Sequence, residues 1–177
     1  MSNSQTSAAS PIRAGIDGLA GKYMTFKLAN EEYGLEILKV REIIGVMEIT
    51  QVPQARPFVR GVINLRGKVI PVVDLRLKFG QAAAETTEQS VIIVVQVEAA
   101  GRALTVGLFV DQVLEVLSID AASIEAPPSL THGSVDESFI LGVGKVERRV
   151  IFLLDIAKVL TAEKAGEVAQ VSTRALN

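Results

Sequence analysis

The sequence predicts an all-β fold: two small five-stranded β-barrels side by side, sharing one core, with a few short helices. Three observations carry this. The apolar segments are short, rich in Val and Ile, and bounded by turn residues. Hydrophobic residues make up 49% of the 177-residue chain but aromatics only 5%, so the core is aliphatic. The chain also contains two versions of one pattern, each with about five short strands. So few strands with apolar residues on both faces tend to close on themselves, because closure removes exposed edges.

In chain order, residues 1–21 are rich in Ser, Ala, Gly and Asn without a sustained period, and are expected to form a flexible tail. Lys22–Ala29 alternates, with Met24, Phe26 and Leu28 against Tyr23, Thr25 and Lys27, the pattern of a half-buried strand. Asn30–Glu32 reads as a turn, and Tyr33–Leu38 as the return strand. Val40–Ile44 places Val40, Ile43 and Ile44 on one helical face, so a single helical turn and a continued strand are both open. Ile49, Val52, Pro53 and Pro57 belong to an extended connector, since the prolines discourage helix and central strand. Phe58–Arg60 leads into the central unit, Gly61–Gly80. Val62, Ile63 and Leu65 enter it; Asn64, Arg66, Gly67 and Lys68 supply the turn; Val69, Ile70, Val72 and Val73 return. Asp74 suits the N-cap of a short helix over Leu75–Phe79, and Gly80 suits its stop.

Gln81–Gln89 is small and polar, a loop between halves. Ser90–Glu98 reads as a buried strand, Ala99–Arg102 as a turn, and Ala103–Val110 as the return. Asp111–Leu117 fits a short helix or a strand. Ser118–Gly133 is a connector containing Pro127 and Pro128. Phe139–Gly144 and Val150–Leu154 form another hairpin, and Asp155–Leu160 a closing helix. Thr161–Asn177 turns polar. The expected organisation is a folded unit over 22–162, in partly interwoven halves of roughly 22–85 and 86–160, with tails at 1–21 and 163–177.

The halves match residue by residue. Gly34 to Ile44 aligns with Gly107 to Leu117 at one constant spacing, which pairs Val40 with Val113 and Glu42 with Glu115. Phe58–Val62 aligns with Phe139–Val143, and Val69–Leu75 with Val150–Ile156, both at a second constant spacing. The change of spacing needs a longer second connector, which costs little in a surface loop.

Reactive chemistry is scarce. There is no Cys, which removes disulfides and thiolates, and one His leaves no zinc cluster. A net charge of −2 argues against a nucleic-acid face. No run approaches the roughly 18 apolar residues of a membrane helix, and no signal pattern opens the chain, so a soluble cytoplasmic protein is expected. His132, in a Thr-His-Gly-Ser loop, reads as a solvated residue. Asp74 and Asp155 hold equivalent places before short helices, so capping explains them better than paired catalysis. Glu31, Glu32 and Glu36 have no clustered partners for a metal. No catalytic residue, metal or cofactor is expected.

What remains is a surface to be bound. Arg66 at a hairpin tip is either a solubilising turn residue or an interface arginine. Its counterpart is Glu147, so the hairpin itself does not require the charge. Glu42 offers the opposite charge, with a solvated role somewhat favoured. Gly61 is expected to admit a close backbone or a positive φ.

The run Gly61 to Arg76, GVINLRGKVIPVVDLR, preceded by Glu32-Tyr33-Gly34 and Val40-Arg41-Glu42-Ile43, closely resembles the CheW family of chemotaxis adaptors. The resemblance covers about Lys22 to Leu160, and the signature is long and specific. It implies two SH3-like five-stranded barrels. It also implies a non-catalytic, stand-alone coupling protein, cytoplasmic and recruited to receptor arrays at the inner face of the membrane. Its implied partners are the cytoplasmic tip of methyl-accepting receptors and the regulatory domain of the histidine kinase CheA. By match to the motif, Val40, Glu42, Gly61, Asn64 and Arg66 fall in or near the receptor-binding groove. The kinase-binding face is not placed by it. An adaptor of a non-flagellar chemosensory pathway is one alternative reading. The other, of a different class, is a small-molecule module using the groove between the barrels.

Overall fold

A computed structural model describes residues 15–127 and 137–161. β1 (Gly21–Leu28) and β2 (Glu31–Glu36) form a hairpin, and a 3-10 turn over Ile37–Lys39 carries the chain to β3 (Val40–Gly45). β4 (Val59–Leu65) and β5 (Lys68–Asp74) form the central hairpin, followed by α1 (Leu75–Lys78). β6 (Val91–Ala99) and β7 (Arg102–Val110) are the longest strands, and β8 (Gln112–Ile119) follows at once. A 3-10 turn at Ala121–Ser123 leads to β9 (Ile124–Glu125). β10 (Ile140–Val146), β11 (Arg149–Leu154) and α2 (Ile156–Thr161) complete the described chain. Val40–Ile44 and, of Asp111–Leu117, all but Asp111 are thus strand rather than helix, because each pairs along a hairpin of the other repeat, β3 with β6 and β8 with β1. The expected turn at Asn30–Glu32 is shorter: Glu31 and Glu32 already pair in β2, and the reversal falls on Ala29 (φ 56) and Asn30.

The strands form two sheets. One is six-stranded, in the order β8, β1, β2, β11, β10, β9; the other is five-stranded, in the order β3, β6, β7, β5, β4. Matching strands occupy matching places: β6 and β7 take the places of β1 and β2, and β3, β4 and β5 those of β8, β10 and β11. Even the place of β9 has its counterpart, a single bridge from Thr50 to Val62 of β4. The repeat extends to single bonds. The N–H of Asp74 donates to the carbonyl of Phe58 at 2.7 Å, and that of Asp155 to the carbonyl of Phe139 at 2.8 Å. Both aspartates cap their helices, accepting from Leu77 N at 3.3 Å and Lys158 N at 3.2 Å.

The two repeats exchange strands. Each early hairpin lies parallel to the last strand of the other copy, β2 with β11 and β7 with β5. The first barrel is therefore built from β1, β2 and β8–β11. The second is one continuous stretch, β3–β7, inserted between them. The division expected near residue 85 does not separate the barrels, since β5 and β6 on either side of it lie in one sheet. A repeat in sequence reports which segments are alike, not which copy each packs against.

Three apolar clusters follow from this arrangement. One lies inside the first barrel around Tyr23, Ile119 and Ile151, and another inside the second around Ile63, Ile92 and Phe109. The largest joins the two, with Phe26, Tyr33 and Leu35 from one side and Phe79, Ile93 and Leu108 from the other. Tyr33 stacks on Phe26 with ring centres 5.7 Å apart and meets Phe79 at 5.5 Å. The shared core packs the two barrels directly against each other.

The chain crosses between barrels at two points, residues 37–39 and residue 111, which are equivalent in the repeat. The second crossing is clamped. The Asp111 carboxylate accepts from Ala29 N at 2.8 Å and from Arg76 Nε at 2.8 and 2.9 Å, and Arg76 Nη2 also pairs with it. At the first crossing the equivalent residue is Leu38, 87% exposed. Burial pushes the Asp111 carboxyl up, but the hydrogen bonds from Arg76 and Ala29 and the charges of Arg76 and Lys27 outweigh it and hold the group below the usual range. A carboxyl whose folded pKa is depressed adds stability above its unfolded pKa of about 3.9 and loses it as pH falls through the folded value. Asp111→Asn is therefore expected to cost about 1–3 kcal/mol at pH 7, because it weakens a partly exposed charged pair. The cost should shrink below about pH 4. Urea titrations of both proteins at neutral and acid pH check it; an equal cost at both would show that the carboxylate charge is not what counts.

Candidate functional site

The five residues expected at the receptor surface all lie on the second barrel, but only two of them meet. Glu42 on β3 forms an ion pair with Arg66 at the tip of the β4–β5 hairpin. β3 and β4 are the two edges of their sheet, so this pair joins edge to edge. The Arg66 side chain is 71% exposed and that of Glu42 31%, so the guanidinium keeps donors free for a partner.

Local sequence explains the placement. Arg66 (φ 51) and Gly67 (φ 86) form a two-residue turn with both φ positive. That turn twists with the flanking strands and suits a tight hairpin. Asn64 holds it closed, its Oδ1 accepting from Gly67 N at 2.9 Å. The register slips between Val40 and Glu42, a β-bulge at Arg41. Arg41 and Glu42 both line a concavity of about 370 Å³ with Leu65, Arg66, Lys68 and Ile70. All five strands of the barrel contribute to its lining, which completes with Val94, Gln96 and Thr105.

The other expected residues do structural work. Val40 opens β3 half-buried against the shared core. Gly61 is buried at φ 141, and a Cβ there would lie 2.1 Å from the carbonyl oxygen of Thr50. Only glycine lets the connector lie against β4 at this point. Gly142, its counterpart, is also tight: a Cβ would fall 2.9 Å from Ile124 Cγ2. His132 lies outside the described residues.

Sequence reasoning missed Arg149. It bridges three strands of the first barrel, reaching Glu32 on β2 at 3.1 Å and also Glu115 on β8. Glu115 is the repeat counterpart of Glu42, so each barrel keeps an ion pair at this place. The cation comes from before the turn glycine in one (Arg66) and from the return strand in the other (Arg149). The signal was present in the alignment of Glu42 with Glu115, which asks where the second carboxylate finds its partner.

Among the described residues, no group of three or more His, Cys, Asp or Glu is placed to hold a metal ion. No helix there is long and apolar enough to cross a membrane. Edge strand β3 and the segment after it expose Ile43, Val46 and Met47, and β8 exposes Val116 at the place equivalent to Ile43.

The CheW-like domain family matches residues 22–164. The chain belongs to the CheW family. The chemotaxis protein CheW of Klebsiella aerogenes is 37% identical over 164 residues, which cover 90% of this chain and 96% of that protein. The chemotaxis protein CheW of Rhizobium meliloti is 38% identical over 141 residues, covering 80% and 88%. Among solved structures, the scaffolding protein CheW of Thermoanaerobacter tengcongensis superposes with a TM-score of 0.73 at 38% identity, covering 84% of this chain and 97% of that one. The CheW family consists of chemotaxis scaffold and adaptor proteins, and the two SH3-like barrels are its fold.

Proposed function

We propose that this CheW-family chain is a non-catalytic adaptor that couples methyl-accepting chemoreceptors to the histidine kinase CheA. The receptor tip binds at the mouth of the second barrel, and recruitment places the protein at receptor arrays on the inner face of the membrane. Val40, Glu42, Gly61, Asn64 and Arg66 form or support the receptor surface: Glu42 and Arg66 present charge, Asn64 holds the turn, and Val40 and Gly61 hold strand and connector in place. The observation that carries this reading is the exposed Arg66–Glu42 pair, displayed at the mouth of one of two barrels that share a core. A body with two separate faces fixes the relative position of two partners without chemistry of its own.

Co-purification with the receptors and kinase of the native cell tests the coupling, and retention of neither partner would end the proposal. A sharper test is Arg66→Glu. The fold tolerates Glu at this turn position, because Glu147 occupies the equivalent one at φ 57. The pair with Glu42 is largely exposed, and its loss costs about 1 kcal/mol or less. Receptor capture by the folded variant should fall at least tenfold while kinase capture is retained. Unchanged receptor capture would remove Arg66 from the site.

A further inference from the structure

The mouth of the second barrel carries more positive charge than its own fold uses. Glu42 is already paired with Arg66, yet Arg41 and Lys68 line the same concavity. Both are exposed, and among the described residues neither has a carboxylate partner. The bulge on β3 turns Arg41 to the side of Glu42, and Lys68 follows the turn that presents Arg66. Three cations therefore face one carboxylate.

The repeat shows that the fold does not impose this excess. Around the equivalent turn of the first barrel, Leu114 stands for Arg41 and Glu147 for Arg66. There Arg149, which stands for Lys68, is held by Glu32 and Glu115, and the turn carries Arg148 beside Glu147. One backbone plan thus carries two charge patterns: the first barrel holds Arg149 on its own carboxylates, whereas the second leaves Arg41 and Lys68 without one, so the excess belongs to what the second surface meets.

We infer that the mouth of the second barrel receives a carboxylate-bearing segment of the receptor, drawn in by Arg41 and Lys68 and held by the free donors of Arg66. The inference rests on the proposed receptor site and names the chemistry of its occupant. The Arg66 guanidinium has five N–H groups, enough to keep Glu42 and donate to a second carboxylate. Arg41 and Lys68 sit at the rim, where charge acts chiefly on the rate of encounter and its salt dependence.

The test measures association of the full chain with the cytoplasmic fragment of a receptor from the same cell, at about 0.05 M and about 0.5 M NaCl. Arg41→Glu and Lys68→Glu should each slow association severalfold at low salt, together at least tenfold, with little effect at high salt. The Gln variants should fall between. Wild-type binding with unchanged rates in the Glu variants would overturn the inference and leave the receptor site standing. Wild-type failure to bind the fragment would remove both. Self-association of the wild type at low salt, abolished by the same substitutions, would assign the mouth to carboxylates of a second copy and overturn the inference. Thermal melting confirms that each variant is folded.

Discussion

Gly61→Ala is expected to destabilise the protein by about 3 kcal/mol or more, although it adds a single methyl group. Two costs combine. The residue sits at φ 141, which side chains avoid, and the new Cβ would lie 2.1 Å from Thr50 O. Thr50 cannot simply retreat, because it exchanges two 2.8 Å backbone hydrogen bonds with Val62. The chain supplies its own controls. Gly67→Ala meets open space but at φ 86, and should cost about 1 kcal/mol. Gly45→Ala meets nothing within 4 Å at an ordinary φ, and should stay within about 0.5 kcal/mol. Urea midpoints of the three variants read the order directly. If Gly61→Ala matched Gly45→Ala, the close approach of the connector would be wrong.

Phe79→Ala should cost about 3–5 kcal/mol, the usual range for a large aromatic removed from a core. Phe79 is 2% exposed and stands between Tyr33, at 5.5 Å, and Phe139, at 6.3 Å. Those partners come from the first barrel, whereas Phe79 follows α1 of the second. The cavity therefore opens in the shared core, and both barrels should loosen together in one transition. The chain has no Trp to report the transition, so far-UV circular dichroism against urea is the measurement. Two separated transitions would show that the barrels are independent units.

Much of the fold was legible in the sequence, and the limits have physical causes. The β-branched run before Asp74 reports burial, but alternation in Lys22–Ala29 marked a strand without its burial: β1 is buried on both faces rather than one, with Tyr23 inside the first barrel and Phe26 in the shared core. The Asp–helix junctions were legible because a cap is a local bond. Pairing partners were not: Val40–Ile44 is too short for its period to separate helix from strand, and its strand character comes from β6, far along the chain. β9 is two residues long and has no pattern to read. The Arg66 turn was legible from Asn64 and Gly67, but its bond to Glu42 was not, because no local rule joins a turn to a distant strand. Arg149 was missed for the same reason, its partner Glu32 lying in the other repeat.

The inserted barrel also sets an order of events during synthesis. Residues 40–110 contain every strand of their own sheet, so that barrel can close while the ribosome is still adding the rest. The first hairpin cannot: Phe26, Leu28, Tyr33 and Leu35 emerge early, yet β8 and β11, which flank it in the sheet, are made only after the inserted barrel. The N-terminal hairpin is thus the stretch that waits longest with its apolar side uncovered, and the one a holding chaperone has most reason to grip.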